Sequence, residues 1–95
     1  MTTDDNNSAM TGTQIEIACV CDDIKELLLY KNQQYGDSAL NPSRIFSKAS
    51  AVEQLLVRID DKLNRIKKGA GLGGEDEDVI QDLIGYLVLL KIGLK

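Results

Sequence analysis

The sequence predicts an all-α fold, a small antiparallel bundle of three main helices that is completed by oligomerisation. Apolar residues recur at spacings of three and four in three stretches, as on one face of an α-helix. Glycine- and proline-containing segments separate these stretches and indicate turns. A chain of 95 residues buries only a thin core, so self-association is expected to cover further apolar surface.

The three helices follow a polar N-terminal segment. Residues 1–13 are small and polar, which predicts a tail that is disordered or ordered only by a partner, and residues 14–95 form a single helical domain. The spacing predicts helices over residues 14–34, 43–68 and 77–92, with Asn41 as N-cap and Pro42 in the first turn of the second. The second helix carries a heptad seam, which indicates packing in a bundle: Ile45, Ala49, Val52, Leu56, Ile59, Leu63 and Ile66. The third helix is apolar on most faces and is expected to be central, or buried between subunits.

Composition excludes several function classes. The net charge of −4 argues against binding to a nucleic-acid polymer. Because the chain has no histidine, any metal is expected to be a hard cation such as Mg²⁺, held by carboxylates. Cys19 and Cys21 are expected to be reduced thiols in or near the core. Charges interrupt every apolar run and no signal peptide is apparent, so no membrane span and a cytoplasmic location are expected.

The first cluster that could carry chemistry lies on the second predicted helix. Arg58, Lys62 and Arg65 are three or four residues apart and therefore share one side of it. We expect this row to bind phosphate, with Asp61 among the cations as a metal ligand or as a group that orients them. The alternative is a solvated helix face linked by ion pairs.

The second cluster is on the third helix, where a carboxylate stands within apolar sequence. Asp78 and Asp82 lie four residues apart on one face, with Gly85 and the phenol of Tyr86 one turn further on. Together with Asp61 they are the expected Mg²⁺ ligands. A glycine inside a helix costs about 1 kcal/mol relative to alanine, so Gly85 indicates a close approach by another helix or a ligand. The alternative is that Asp82 pairs with Lys62 or Arg65 and has no further role.

The third cluster is the stretch YKNQQYGDS at the end of the first helix. Tyr30 and Tyr35 could stack on a base, Lys31 could bind phosphate, and Asn32 could bind phosphate or the edge of a base. The alternative is a helix end with surface tyrosines. A glycine-rich loop, residues 69–74, joins the second and third predicted helices. If these helices are antiparallel neighbours, the loop brings the first and second clusters together.

The segments KNQQYGDSALNPSRIF, RIDDKLNRIKKG and EDEDVIQDLIGYLVLL resemble the nucleotide modification associated domain of bacteria and their phages. The resemblance covers about Leu28 to Ile92. That domain is similar to the all-α MazG-like nucleoside triphosphate pyrophosphohydrolases, whose E-x-x-E and E-x-x-D motifs bind Mg²⁺ on a triphosphate. The resemblance therefore implies a nucleotide-binding protein, in the host cytoplasm if it is encoded by a phage.

The chain departs from the enzyme pattern, which leaves three functions open. Its second helix has no E-x-x-E motif, and Asp78 and Asp82 are spaced by four rather than three residues. The first function is Mg²⁺-dependent hydrolysis of a nucleotide. The second is sequestration of a nucleotide, such as a cyclic immune signal, without turnover, as anti-defence sponge proteins do; high affinity would favour a site between subunits of a dimer or higher homo-oligomer. The third is a protein interaction module. The first two require that Asp82 lies beside Lys62 or Arg65.

Overall fold

The computed structural model describes residues 10–69 and 78–95. These residues form three α-helices and no strand: α1, Gly12–Tyr35; α2, Ala51–Lys67; and α3, Val79–Gly93. The all-α expectation is confirmed for this part of the chain. None of the described helices combines the length and the apolar character that a membrane-spanning segment requires.

Helix α1 begins two residues before the predicted start. The Thr11 hydroxyl accepts a hydrogen bond from the backbone N–H of Gln14, and the Gln14 side chain accepts one from the backbone N–H of Thr11. This reciprocal pair satisfies two amides that the first turn leaves without helical partners. Of the predicted tail, residues 1–9 lie outside the described part. The helix ends at Tyr35, and the next residue, Gly36, has a φ of 72° and a ψ of −169°, which only glycine adopts readily.

Helix α2 begins at Ala51, so the predicted start near residue 43 is wrong. Asn41 does not cap a helix; its Nδ2 donates a 2.7 Å hydrogen bond to the Asp37 carboxylate. The Ser47 hydroxyl accepts from the backbone N–H of Ala49, and Ser50 caps α2 by accepting from the N–H of Glu53. Serine side chains compete with the helical ladder for backbone groups in this way, and here they hold residues 41–50 in a non-helical loop.

Helix α3 packs against both other helices, as expected for a central helix. A Cβ added to the buried Gly85 would lie 3.3 Å from the Leu28 side chain, which shows how closely α1 approaches α3. On the α2 side, Lys62 contacts Asp82 near the start of α3, and Val52 lies against Gly93 at its end. Residues 70–77, which include most of the glycine-rich loop, lie outside the described residues.

The face that α2 buries matches the predicted heptad seam only in part. The seam residue Ile59 is buried, but Leu55, which lies outside the seam, is 1% exposed and the seam residue Leu56 is 39% exposed. The other buried apolar side chains of the described residues are Ile24, which is 7% exposed, and Val79, which is 1% exposed. Cys19 and Cys21 are both exposed, so their expected place in or near the core is wrong. The described part therefore has a thin core and many apolar side chains at the surface.

Candidate functional site

A cleft of about 400 Å³ lies between α1, the turn that follows it, Arg58 of α2 and the first half of α3. Its volume is within the range of small-molecule sites. The polar groups that line it come from all three predicted clusters: Lys31, Asn32, Tyr35, Arg58, Asp82 and Tyr86. Residues that are far apart in the sequence therefore meet in one place, although α2 contributes only one of its predicted cations.

Tyr86 and Arg58 form the α2–α3 side of the cleft. The Arg58 guanidinium carbon lies 5.9 Å from the centre of the Tyr86 ring, within the range of a cation–π contact. This contact holds a planar cation beside an aromatic ring while its N–H groups remain able to donate. On the α1 side, Lys31 and the exposed Tyr35 line the same cleft.

Asp82, the carboxylate within the apolar helix, is paired with a cation from α2. The Lys62 ammonium lies 3.3 Å from the Asp82 carboxylate, and their side chains are only 12% and 25% exposed. This pair satisfies the condition that Asp82 lies beside Lys62. Asp82 lines the cleft, whereas Lys62 is not among its described lining residues and therefore acts on it through Asp82.

Other predicted site residues have separate local partners. Asp61 lies 3.5 Å from Arg65 on the exposed face of α2. Asp78 is the N-cap of α3, where its carboxylate accepts a 2.8 Å hydrogen bond from the backbone N–H of Gln81. Among residues 10–69 and 78–95, no three Asp, Glu, Cys or His side chains are grouped so as to hold a metal ion. The predicted Mg²⁺ ligands are thus not brought together within the described part.

Of the residues predicted to bind a base, Tyr35, Tyr86 and Asn32 line the cleft and Tyr30 does not. Tyr30 is exposed and lies outside the set of residues lining the cleft, because it projects from a different face of α1 than Lys31 and Tyr35. Asn32 lines the cleft, and its Nδ2 donates a 3.3 Å hydrogen bond to Asp37 in the turn. Asp37 is therefore held by two asparagine amides, which fixes the turn whose neighbouring residues Gly36 and Ser38 line the cleft.

Two polar residues of the cleft were missed by the sequence analysis. Gln81 lines it from the first turn of α3, and Ser38 lines it from the turn after α1. The signal for Gln81 was its position four residues before Gly85, which places the two on one helical face. Ser38 stands in the YGDS turn of the third cluster, and a side-chain role for it carries no separate sequence signal.

The Lys62–Asp82 pair is expected to contribute to stability as a coupled unit. Asp82→Asn removes the carboxylate that lies 3.3 Å from the largely buried Lys62 ammonium, and Lys62→Met removes the ammonium, so each should cost about 1–3 kcal/mol of unfolding free energy. The double variant should lose less than the sum of the two single losses, by roughly 0.5–3 kcal/mol. Urea unfolding of all four proteins measures this, and strictly additive losses would contradict a direct pair.

Comparison of the chain with models of protein families, with curated proteins and with solved structures gives no match.

Proposed function

We propose that this protein binds a nucleotide in the cleft between α1 and α3. The observation that carries the proposal is the convergence of Lys31 and Arg58 with the rings of Tyr35 and Tyr86. Two cations suit phosphate groups, and two aromatic rings suit a base, which every nucleotide offers as a flat π-surface. The amides of Asn32 and Gln81 can donate to and accept from the polar edge of a base.

The charge of the cleft favours an anionic ligand. Among the described residues that line the cleft, Asp82 is the one carboxylate. The Lys62 ammonium, which does not line the cleft, lies 3.3 Å from Asp82 and compensates the negative charge. Lys31 and Arg58 thus leave the cleft with a net positive charge, although the whole chain is acidic. A local basic site on an acidic protein favours a small anion over a long nucleic acid, because the rest of the surface repels a polymer.

Binding without hydrolysis is the form of this function that the side chains favour. In the hydrolytic form, Asp61, Asp78 and Asp82 would hold Mg²⁺, which would polarise the phosphoryl group and activate water. The first two have other local partners, in Arg65 and in the capped turn of α3. Phosphate would then be held directly by cations, as in a protein that sequesters a nucleotide in the cytoplasm. An antiparallel three-helix bundle completed by self-association is the architecture that goes with this proposal.

Thermal unfolding of the full-length chain with a panel of ligands tests the proposal. Nucleoside mono- and triphosphates and cyclic nucleotides, with and without Mg²⁺, are compared with the corresponding free nucleosides. A nucleotide at about a hundred times its dissociation constant should stabilise the fold by roughly 2.7 kcal/mol, whereas the free nucleoside should not, since it lacks phosphate. The absence of a shift with every nucleotide would contradict the proposal.

A second measurement distinguishes binding from turnover. Each nucleotide that shifts the unfolding temperature is incubated with the protein and Mg²⁺, and release of phosphate or pyrophosphate is followed. No release is expected. Release that requires Mg²⁺ would instead support the hydrolytic form and would return Asp61, Asp78 and Asp82 to the role of metal ligands.

A further inference from the structure

The loop between α1 and α2 presents two apolar side chains to solvent at its tip. Phe46, the only phenylalanine of the chain, is 97% exposed, and Ile45 is 81% exposed. The loop is pinned at both ends. A Cβ added to Gly93 would lie 3.5 Å from the side chain of Leu40 before the loop and 3.3 Å from that of Val52 after it. A compact loop with adjacent ends and an apolar tip fits the pattern of loops that carry function.

A second feature of the same chain is an apolar groove of about 450 Å³ between α1 and α3. It adjoins the nucleotide cleft, with which it shares Leu28, Asn32 and Leu89, but none of the cations or aromatic rings of the cleft line it. Its apolar lining includes Val20, Ile24 and Leu28 from α1 and Ile84, Val88 and Ile92 from α3. Several of these side chains are well exposed, so the groove offers apolar surface that a partner could cover.

We propose that the Ile45–Phe46 tip of one copy of this chain inserts into the α1–α3 groove of a second copy. The tip and the groove are complementary in character, since one is an apolar projection and the other an apolar depression. The tip does not occupy the groove of its own chain, because Phe46 is almost fully exposed. Every copy carries both features, so a reciprocal exchange between two copies buries two tips and closes the assembly.

The charges around the two features are complementary as well. Arg44 and Lys48 flank the tip, two residues from Phe46 on either side. Asp37 and Lys25 line the groove, and the Asp22 carboxylate lies 3.7 Å from the Lys25 ammonium, so this edge carries two carboxylates and one ammonium. The cations beside the inserted tip would therefore meet an edge with a net negative charge, which favours one orientation of the tip. The thin core of the described part gives such burial a large share of the total stability.

The native cysteines allow a direct test by cross-linking. Cys21 lines the groove, whereas Cys19 is exposed on another part of α1 and is not among the described lining residues. In the variant Phe46→Cys, mild oxidation with diamide should join the new thiol to Cys21 of a second copy. A disulfide-linked dimer is then expected on a non-reducing gel. It should be retained when Cys19→Ala is added and lost when Cys21→Ala is added.

Each alternative result overturns the proposal. An intrachain disulfide, seen as loss of two of the three thiols of the variant without dimer, would assign the tip to the groove of its own chain. A dimer that depends on Cys19, or no cross-link at all, would place the tip elsewhere.

A second measurement does not rely on the smaller cysteine side chain. Sedimentation equilibrium of Phe46→Asp, compared with the matched apolar control Phe46→Leu, should show self-association weakened at least about tenfold for Asp alone, because a charge would enter the apolar groove. Since Phe46 is exposed in the single chain, neither substitution should unfold it. Equal association of the two variants would contradict the proposal.

Discussion

Replacing Leu55 by Ala should remove about 2–5 kcal/mol of unfolding free energy, the largest stability loss we expect from a single apolar truncation in α2. Leu55 is 1% exposed on the face of α2 that carries the buried Ile59, so its deletion opens a cavity that the surrounding helices can fill only in part. A domain of this size has a total stability of roughly 5–15 kcal/mol. The variant should therefore unfold at a much lower urea concentration than the wild type.

The neighbouring leucine provides the matched control. Leu56→Ala removes the same atoms from the same helix one residue later, but Leu56 is 39% exposed and should cost under about 1 kcal/mol. Both variants are measured at two protein concentrations, because a loss that arises at an interface between subunits varies with concentration and a core loss in the monomer does not. A larger, concentration-independent loss for Leu56 would restore the heptad seam predicted from the sequence.

This pair of leucines shows how far sequence reasoning reaches for the fold. The three helices were recognised from apolar spacing, since the 3.6-residue period is a property of the helix itself. The buried face of α2 was predicted only in part: Ile59 belongs to the predicted seam and is buried, but both Leu55 and Leu56 fit an apolar stripe and only tertiary packing chooses between them. The start of α2 was misplaced because Asn41 and Pro42 form a good helix start, whereas the hydrogen bonds of Ser47 and Ser50 decide the matter locally.

The candidate site divides in a similar way. The sequence located the third-helix carboxylate and predicted a partner for it, either Lys62 or Arg65 or a metal, because an unpaired carboxylate in an apolar helix is too costly to bury; in the structure the Lys62 ammonium lies 3.3 Å from it. It did not resolve which cations of α2 face the cleft. Arg58 and Arg65 are seven residues apart and lie on nearly the same side of an ideal helix, so the spacing alone treats them as equivalent. In the structure Arg58 lies beside the Tyr86 ring of α3 and lines the cleft, whereas Arg65, two turns further along α2, is not among the described residues that line it.

These two arginines therefore give the sharpest test of the nucleotide cleft. Arg58→Ala should weaken binding of the nucleotide that gives the largest thermal shift by about 10- to 100-fold. A charge-assisted hydrogen bond to phosphate contributes roughly 1.5–3 kcal/mol, and 1.4 kcal/mol corresponds to a factor of ten. The affinity of Arg58→Lys should fall between those of the wild type and of Arg58→Ala, because lysine keeps the charge but lacks the planar guanidinium and its contact with the Tyr86 ring. Isothermal titration calorimetry measures all of these affinities.

Arg65→Ala is the matched control, since it removes the same side chain from the same helix. Arg65 lies beside Asp61 on the exposed face of α2 and is not one of the described residues that line the cleft, so its removal should change the affinity less than about twofold. Circular dichroism of each variant verifies that the helices remain. If Arg65→Ala weakened binding as much as Arg58→Ala, phosphate would bind along the row of cations Arg58, Lys62 and Arg65 on α2. The cleft between α1 and α3 would then not be the nucleotide site.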